Sequence, residues 1–426
     1  MTKQPDNTTE SAASLACHVL SKSGLPLARR LAARLAHEPW RAPSGVAAAA
    51  CLICAPARLR LRDVRPFERL GDFLAQEYRR HAAHIFIGST GIAVRVLAPL
   101  LRHKSLDPPV AVLDPDGRFV ISLLAGHWGG GNELTRHLAR LLDATPVITT
   151  ASDQPSALPE EYAARDQAPP RALDLLVRDA GLRILDWHCL PQAQAALLEG
   201  RRLRLWDPCS ALPGAAPPAF ERLPGTEEDA QPPRAAFPGS SAGACPADPA
   251  ACPGPLLAAH WRRLAPAPGL LRLAVPRLYV GLGCRKNLPP EAILPALEAL
   301  LAAHGLELRA VAGLATVTEK LTEAALLALA ERLGIPLRGF AAAELARCAT
   351  PNPSEAAGRR FGLAPFSVCE AAALLAARHG QANSPSAAFA HAPAPGQASR
   401  LLIPKHATQA RLTLAVALAV QTPQSP

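Results

Sequence analysis

Short runs of β-forming residues alternate with helical patterns twice along this chain, and that alternation limits what it can fold into more than any single motif does. Within 1–150 the order is "LACHVL", a helical "GLPLARRLAARLAH" with leucines on one face, "VAAAACLICA", "FERLGDFLAQEYRRH", "HIFIG" and "GIAVRVLAPLL". "VAVLD", the turn "DPDG" and "RFVISLL" then read as a hairpin, and a last helix precedes "TPVITT". Strands separated by helices of about 10 to 15 residues predict a mainly parallel sheet covered on both faces. The alternation resumes over 271–426, from "RLYVGLG" through "PPEAILPALEALLAAHG", "EKLTEAALLALAERLG" and "SVCEAAALLAARHG" to "ASRLLIP" and "LTLAVALA". Between them, over 151–270, "LDLLVRDAGLRILDW" keeps one helix and one strand before a long run dense in Pro, Ala and Gly, which predicts a partly disordered middle domain or linker. The fold expected is α/β: two lobes with mainly parallel sheets, joined by a Pro/Ala-rich middle segment.

Composition narrows the partners. With 49% hydrophobic and 19% charged residues, the chain can bury cores in each lobe. Its formal charge of +10 suits an acidic partner, but only six of the 45 cationic residues are lysines and there is no dense basic run with interleaved aromatics. Nucleic acid is therefore not expected, and a polycarboxylated small molecule answers the same charge. Scarcity gives Lys22, Lys104, Lys286, Lys320 and Lys405, and likewise Asn132, Asn287 and Asn352, more weight than filler residues carry. The ten cysteines are scattered and the first residues lack a charged and an apolar leader region, which predicts a reduced, cytoplasmic protein. The single CxxC, Cys51 and Cys54, lies in an apolar strand-like run without the second pair that structural zinc needs, so no metal site is expected. No apolar run reaches the roughly 18 residues of a membrane span, so no membrane partner is expected.

The richest motif is "AGHWGGGNELTRHLARLL", Ala125 to Leu142. Asn132 suits a helix N-cap, Glu133 sits in the first turn, and Gly126, Gly129, Gly130 and Gly131 would leave amides free at the positive end of the helix. The loop lacks the Lys-Ser/Thr ending of a triphosphate loop. A plain strand-to-helix turn would also use the glycines, but it needs neither His127, which titrates near neutral pH, nor Trp128, whose flat face suits a planar ligand. Ser89, Thr90 and Gly91 open a helix after another strand, with Arg95 one turn in, and Thr149, Thr150, Ser152 and Asp153 follow a third. Three polar strand ends in one lobe point to one site, because the carboxyl ends of parallel strands lie on one edge. In the C-terminal lobe "VGLGCRKN" offers Gly283, Cys284 and Arg285 but does not complete a dinucleotide fingerprint, and "ATVTEKLTE" offers Thr316, Lys320 and Glu323, the last two spaced for an ordinary ion pair.

Taken in order, "HIFIGSTGIAVRVLAPLL", "DPDGRFVISLLAGHWGGGNELTRHLARLLDATPVITTASD", "VGLGCRKN", "TVTEKLTE" and "TPNPSEAAG" with "SVCEAAAL" resemble the CbiG family of cobalamin biosynthesis, the cobalt-precorrin-5A hydrolases. The last three also resemble the stand-alone CobE proteins. The likeness covers most of 80–153 and 278–420, and more loosely "LSKSGLPLARRLA" with Lys22. Two departures stand out: "QPSALPEEYAARDQAPP" intervenes after the Thr-rich segment, and the middle is Pro-rich. The resemblance implies hydrolysis of a δ-lactone on a cobalt-bearing macrocycle, with release of acetaldehyde. It implies no cofactor, since the cobalt belongs to the substrate, and allows a homodimer or contact with other cobalamin-pathway enzymes. On those terms His127 would be the general base, Glu133 or Asp153 would orient it, and the glycine amides with Thr90 or Thr149 would hold the oxyanion. Arg95, Arg285 and Lys320 would bind peripheral carboxylates. A non-catalytic corrinoid carrier is the alternative reading, and a nucleotide-binding regulator a more distant one.

Overall fold

A computed structural model describes residues 14–150, 172–212, 219–233, 236, 255–285, 288–380, 399–408 and 412–420. They fall into two compact units that divide between residues 175 and 176.

The first unit is built on β1 (Ser14–Val19), the two-residue pair β2 (Trp40–Arg41) and β3 (Ala47–Ala48), β4 (Ala50–Pro56), β5 (Arg65–Phe67), β6 (Ala83–Ile87), β7 (Val110–Leu113), β8 (Phe119–Leu124) and β9 (Thr145–Val147). Seven of these form one sheet in the order β5-β4-β1-β6-β7-β8-β9. The first five run parallel. β8 then runs antiparallel to β7, and β9 runs parallel to β8. The reversal is written into "DPDG": Gly117 takes φ 71° and donates to Asp114 O at 3.0 Å, while Asp114 Oδ1 accepts from Phe119 N at 2.7 Å.

Helices α1 (Leu25–His37) and α4 (Gly131–Leu142) cover one face, where Leu31, Leu35, Leu134 and Leu138 pack on Leu15, Cys17 and Ile85. Helices α2 (Leu70–Glu77) and α3 (Thr90–Leu97) cover the other with Leu74, Ala93 and Leu97 against Phe86 and Val112. That second face also buries a histidine pair. His84 Nε2 donates to Tyr78 O at 2.9 Å, so its Nδ1 must accept, here from His18 Nε2 at 2.9 Å. Desolvation pushes both imidazoles down, His84 to about 4.

A short helix α5 (Leu173–Asp179) carries the chain from the first unit into the second. There β10 (Arg183–Ile184), helix α6 (Leu190–Leu198), β11 (Leu203–Trp206), β12 (Phe220–Leu223), β13 (Leu256–His260) and β14 (Leu270–Ala274) supply a five-stranded, largely parallel sheet in the order β10-β14-β13-β11-β12. The stretch whose periodicity fades in sequence therefore carries its own sheet, over buried Trp206 and Trp261. β12 even lies inside the Pro-rich run, of which 213–218, 234–235 and 237–254 are outside the described residues.

The last sheet comprises β15 (Leu278–Cys284), β16 (Val311–Val317), β17 (Leu337–Phe340), β18 (Ser399–Ala407) and β19 (Leu412–Ala419), ordered β17-β16-β15-β19-β18. Its helices are α7 (Ile293–Ala303), α8 (Ala324–Leu333), α9 (Ala342–Ala346), α10 (Glu355–Phe361) and α11 (Val368–His379). The alanine-rich α11 is buried along nearly its whole length against β15, where a Cβ at Gly281 would lie 1.8 Å from Cys369 O. Arg277, 5% exposed, ties the two sheets of this unit together by donating to Ala419 O at 2.9 Å and to Glu227 Oε1 at 2.7 Å. The architecture is α/β with mainly parallel sheets, as the alternation requires. Among the described residues no helix is long and apolar enough to cross a membrane.

Candidate active site

The glycine-rich loop leaves β8 and enters α4. Because β8 is antiparallel, this loop emerges where β7 begins: Leu124 pairs with Val110. The segment after β9 emerges at the same edge, since β9 is parallel to β8. Thr150 there accepts a hydrogen bond from Asn132 Nδ2 at 2.9 Å. Asn132 Oδ1 in turn accepts from Ser122 Oγ of β8 at 2.8 Å. Asn132 is thus no N-cap. Gly130 holds that position, at φ 81°, and Asn132 is a 2%-exposed clamp between β8 and the segment after β9.

The glycines are spent on packing. A Cβ at Gly126 would meet Asn132 Oδ1 at 2.8 Å, and one at Gly131 would meet Leu124 O at 2.7 Å. The Gly130 amide donates to His127 O, that of Gly131 to Ala125 O and that of Asn132 to Gly126 O, at 2.9 to 3.0 Å. The expected cradle of free amides is therefore corrected: the NH groups of Gly130 and Gly131 close the loop on itself. Ala125, in the left-handed region at φ 52°, is the strained point of the turn.

His127 is the residue this loop presents. Its Nδ1 lies 3.2 Å from Asp174 Oδ1 at the start of α5, with both side chains mostly buried, 14% and 13% exposed. Burial pushes the Asp174 carboxyl up, but the hydrogen bond from His127, its charge and that of Lys104 outweigh this and hold it below the usual carboxylate range. Asp174 Oδ1 also accepts from Leu175 N at 3.0 Å, which fixes the carboxylate in the first turn. A carboxylate on Nδ1 selects the tautomer whose Nε2 lone pair faces away from it. Trp128 lies half-buried beside this pair, and Thr149 is exposed at the same edge.

Sequence reasoning thus found His127, Trp128, the glycines, Asn132, Thr149 and Thr150 at one edge, singled out Lys104 only by the scarcity of lysine, and missed Asp174 and Ser122. Asp174 had no local signal: it stands in a separate helix beyond the intervening insertion. Glu133 sits in the first turn of α4 as expected, and Ser152 and Asp153 lie outside the described residues. The group Ser89, Thr90, Gly91 and Arg95 is elsewhere. It follows β6, whose end adjoins the end of β7 through Gly88 N to Leu113 O, 2.9 Å. The six residues of β8 put it about 20 Å from the His127 loop, on the opposite edge. There Arg95 Nη1 folds back to Gly91 O at 3.0 Å.

A separate cluster forms in the second unit, where β15 and β16 end. Lys320 Nζ donates to Glu323 Oε2 at 2.9 Å, near Cys284 at the end of β15, whose thiol is pushed up by burial, drawn down by Lys320 and pushed up by Glu323. Gly283 packs on Thr413, Arg285 is exposed, and Thr316 Oγ1 donates to Leu282 O at 2.8 Å. Close to the α11 N-terminus, Glu370 is fully buried and accepts from Asn352 Nδ2 at 2.8 Å, Asn352 N at 3.1 Å and Lys405 N at 2.8 Å. It joins Asn352 and Lys405, which sequence showed only as isolated signals.

Residues 72–153 match the family model for the N-terminal part of cobalamin synthesis G, and 278–417 the model for its C-terminus. The chain is 33% identical over 346 residues to the cobalt-precorrin-5A hydrolase of Salmonella typhimurium, covering 78% of this chain and 83% of that one. It is 55% identical over 75 residues to the cobalt-precorrin-5A hydrolase of Priestia megaterium, covering 18% and 20% of the two chains. Among solved structures, a cobalamin biosynthesis protein G homologue from Sulfolobus solfataricus aligns over 96% of this chain and 97% of its own, at 15% identity and a TM-score of 0.32.

Proposed function

The chain belongs to the cobalt-precorrin-5A hydrolase family, and from that premise we propose that it hydrolyses a cobalt-precorrin lactone at the edge formed by the His127 loop. The observation that carries the placement is the contact between His127 Nδ1 and Asp174 Oδ1. With Nδ1 bound, Nε2 takes the proton of a water attacking the lactone carbonyl, and the Asp174 carboxylate stabilises the imidazolium so formed. Thr149, exposed at the same edge, supplies a hydroxyl donor for the tetrahedral oxyanion. Ring opening leaves a carboxylate and an oxygen on the methylated carbon. That oxygen closes to a carbonyl as its carbon parts from the macrocycle, so acetaldehyde leaves and the electron pair of the broken bond stays on the ring, where the proton held by His127 neutralises it. Trp128 offers its face to the macrocycle.

The test is to incubate the protein with cobalt-precorrin-5A under anaerobic conditions and trap the volatile product. Stoichiometric acetaldehyde supports the reading. Binding of the corrinoid without acetaldehyde would make the protein a carrier instead.

A further inference from the structure

The contact between His127 and Asp174 depends on how the loop between β8 and α4 is held, and catalysis at His127 leaves that task to other residues. Gly126, the residue before His127, is gripped twice by Asn132. The Asn132 backbone N donates to Gly126 O at 2.9 Å, and a Cβ at Gly126 would lie 2.8 Å from Asn132 Oδ1. The same side chain is anchored on both sides. Its Oδ1 accepts from Ser122 Oγ of β8 at 2.8 Å, and its Nδ2 donates to Thr150 Oγ1, after β9, at 2.9 Å. A carboxamide supplies that acceptor and that donor from one short side chain. The carbonyls on either side complete the grip: Ala125 O and His127 O accept from the amides of Gly131 and Gly130, both at 3.0 Å. At 2% exposure, in the first turn of α4, Asn132 is shielded from a ligand and acts on its neighbours.

We propose that Asn132 is the positioning residue of this site: held by Ser122 and Thr150, it fixes Gly126 and so keeps His127 Nδ1 on Asp174. Its effect on rate rests on hydrolysis at His127; its effect on the imidazole does not.

An NMR titration of the His127 ring proton in the full chain, its signal assigned by its loss in His127→Ala, tests the placement without turnover. Asn132→Leu keeps the bulk and removes both side-chain anchors. The loosened loop draws Nδ1 off Asp174, the imidazolium loses its carboxylate, and the midpoint is expected to fall by about 1–2 pH units, as in Asp174→Asn. Both substitutions act through one contact, so the double variant is expected to fall no further than Asp174→Asn alone. In acetaldehyde release kcat is expected to drop about 100-fold with KM little changed, the loss that a misplacement of about 1 Å brings. A side chain that only stabilises the fold would lower resistance to urea and leave the His127 midpoint of the folded variant where it is. That outcome, or shifts that add in the double variant, overturns the proposal. If Asn132→Leu does not fold, Ser122→Ala and Thr150→Val each remove one anchor, and an unmoved midpoint in both overturns it equally. A moved midpoint in a protein whose wild type releases no acetaldehyde would support the positioning and refute the hydrolysis.

Discussion

Asp174→Asn removes one charge and leaves the shape of the His127 pair intact. In the wild type the carboxylate is 13% exposed and sits 3.2 Å from Nδ1. A hydrogen bond to a charged group is worth about 1.5 to 3 kcal/mol, and the imidazolium that exists during water attack would lose it. At about 1.4 kcal/mol per tenfold, kcat should fall roughly 10- to 150-fold while KM changes little, because the lost interaction belongs to the transition state. The sign of the pH effect follows from the same contact. His127 acts unprotonated, so activity falls as pH drops through its titration. Removing the anion disfavours the imidazolium, so the acidic limb of the kcat profile should move to lower pH. The assay is anaerobic acetaldehyde release coupled to an alcohol dehydrogenase, from about pH 5 to 9, with circular dichroism as the folding control. A folded variant with wild-type kcat and an unmoved acidic limb would refute the orienting role.

Three other outcomes are expected. Gly130→Ala places a side chain at φ 81° with its Cβ 2.8 Å from Pro43 Cγ, and should cost at least about 1–2 kcal/mol in urea unfolding from the backbone alone. Glu370→Ala removes the buried carboxylate that accepts from Asn352 and Lys405 and should destabilise the second unit by about 1–3 kcal/mol, measured by denaturant titration. His18 and His84 are buried neutral, with folded-state values below the unfolded value near 6.5, so the folded state binds fewer protons. Stability is then full above about pH 6.5 and declines toward pH 4, by about 1.4 kcal/mol per unit for each histidine. Tryptophan fluorescence unfolding that is flat between those values would contradict the buried-pair assignment.

Much of this was legible in the residues. Period-two and helical patterns marked nearly every element of the first sheet, and the juxtaposition of His127 with Trp128 marked the loop that meets Asp174. The hairpin at "DPDG" was legible as well, but its consequence was not. One antiparallel strand carries the His127 loop to the edge opposite Ser89 and Arg95, so residues that look alike at strand ends do not share a site. The glycines misled for a physical reason: the same absence of Cβ serves close self-packing and close ligand approach, and hydrogen-bond partners decide between them. Asp174 could not be read because its role is set by tertiary proximity across an insertion. The middle sheet was hidden because Pro and Ala dilute periodicity without preventing short strands such as β12.

The placement of the chemistry at the His127 edge is tested most directly by single-turnover acetaldehyde release from His127→Ala beside a Ser89→Ala, Thr90→Val double variant of the opposite edge. The account predicts a loss of about 100-fold or more for His127→Ala and a far smaller change for the double variant. Wild-type release from His127→Ala, or collapse of activity in the double variant alone, would contradict it.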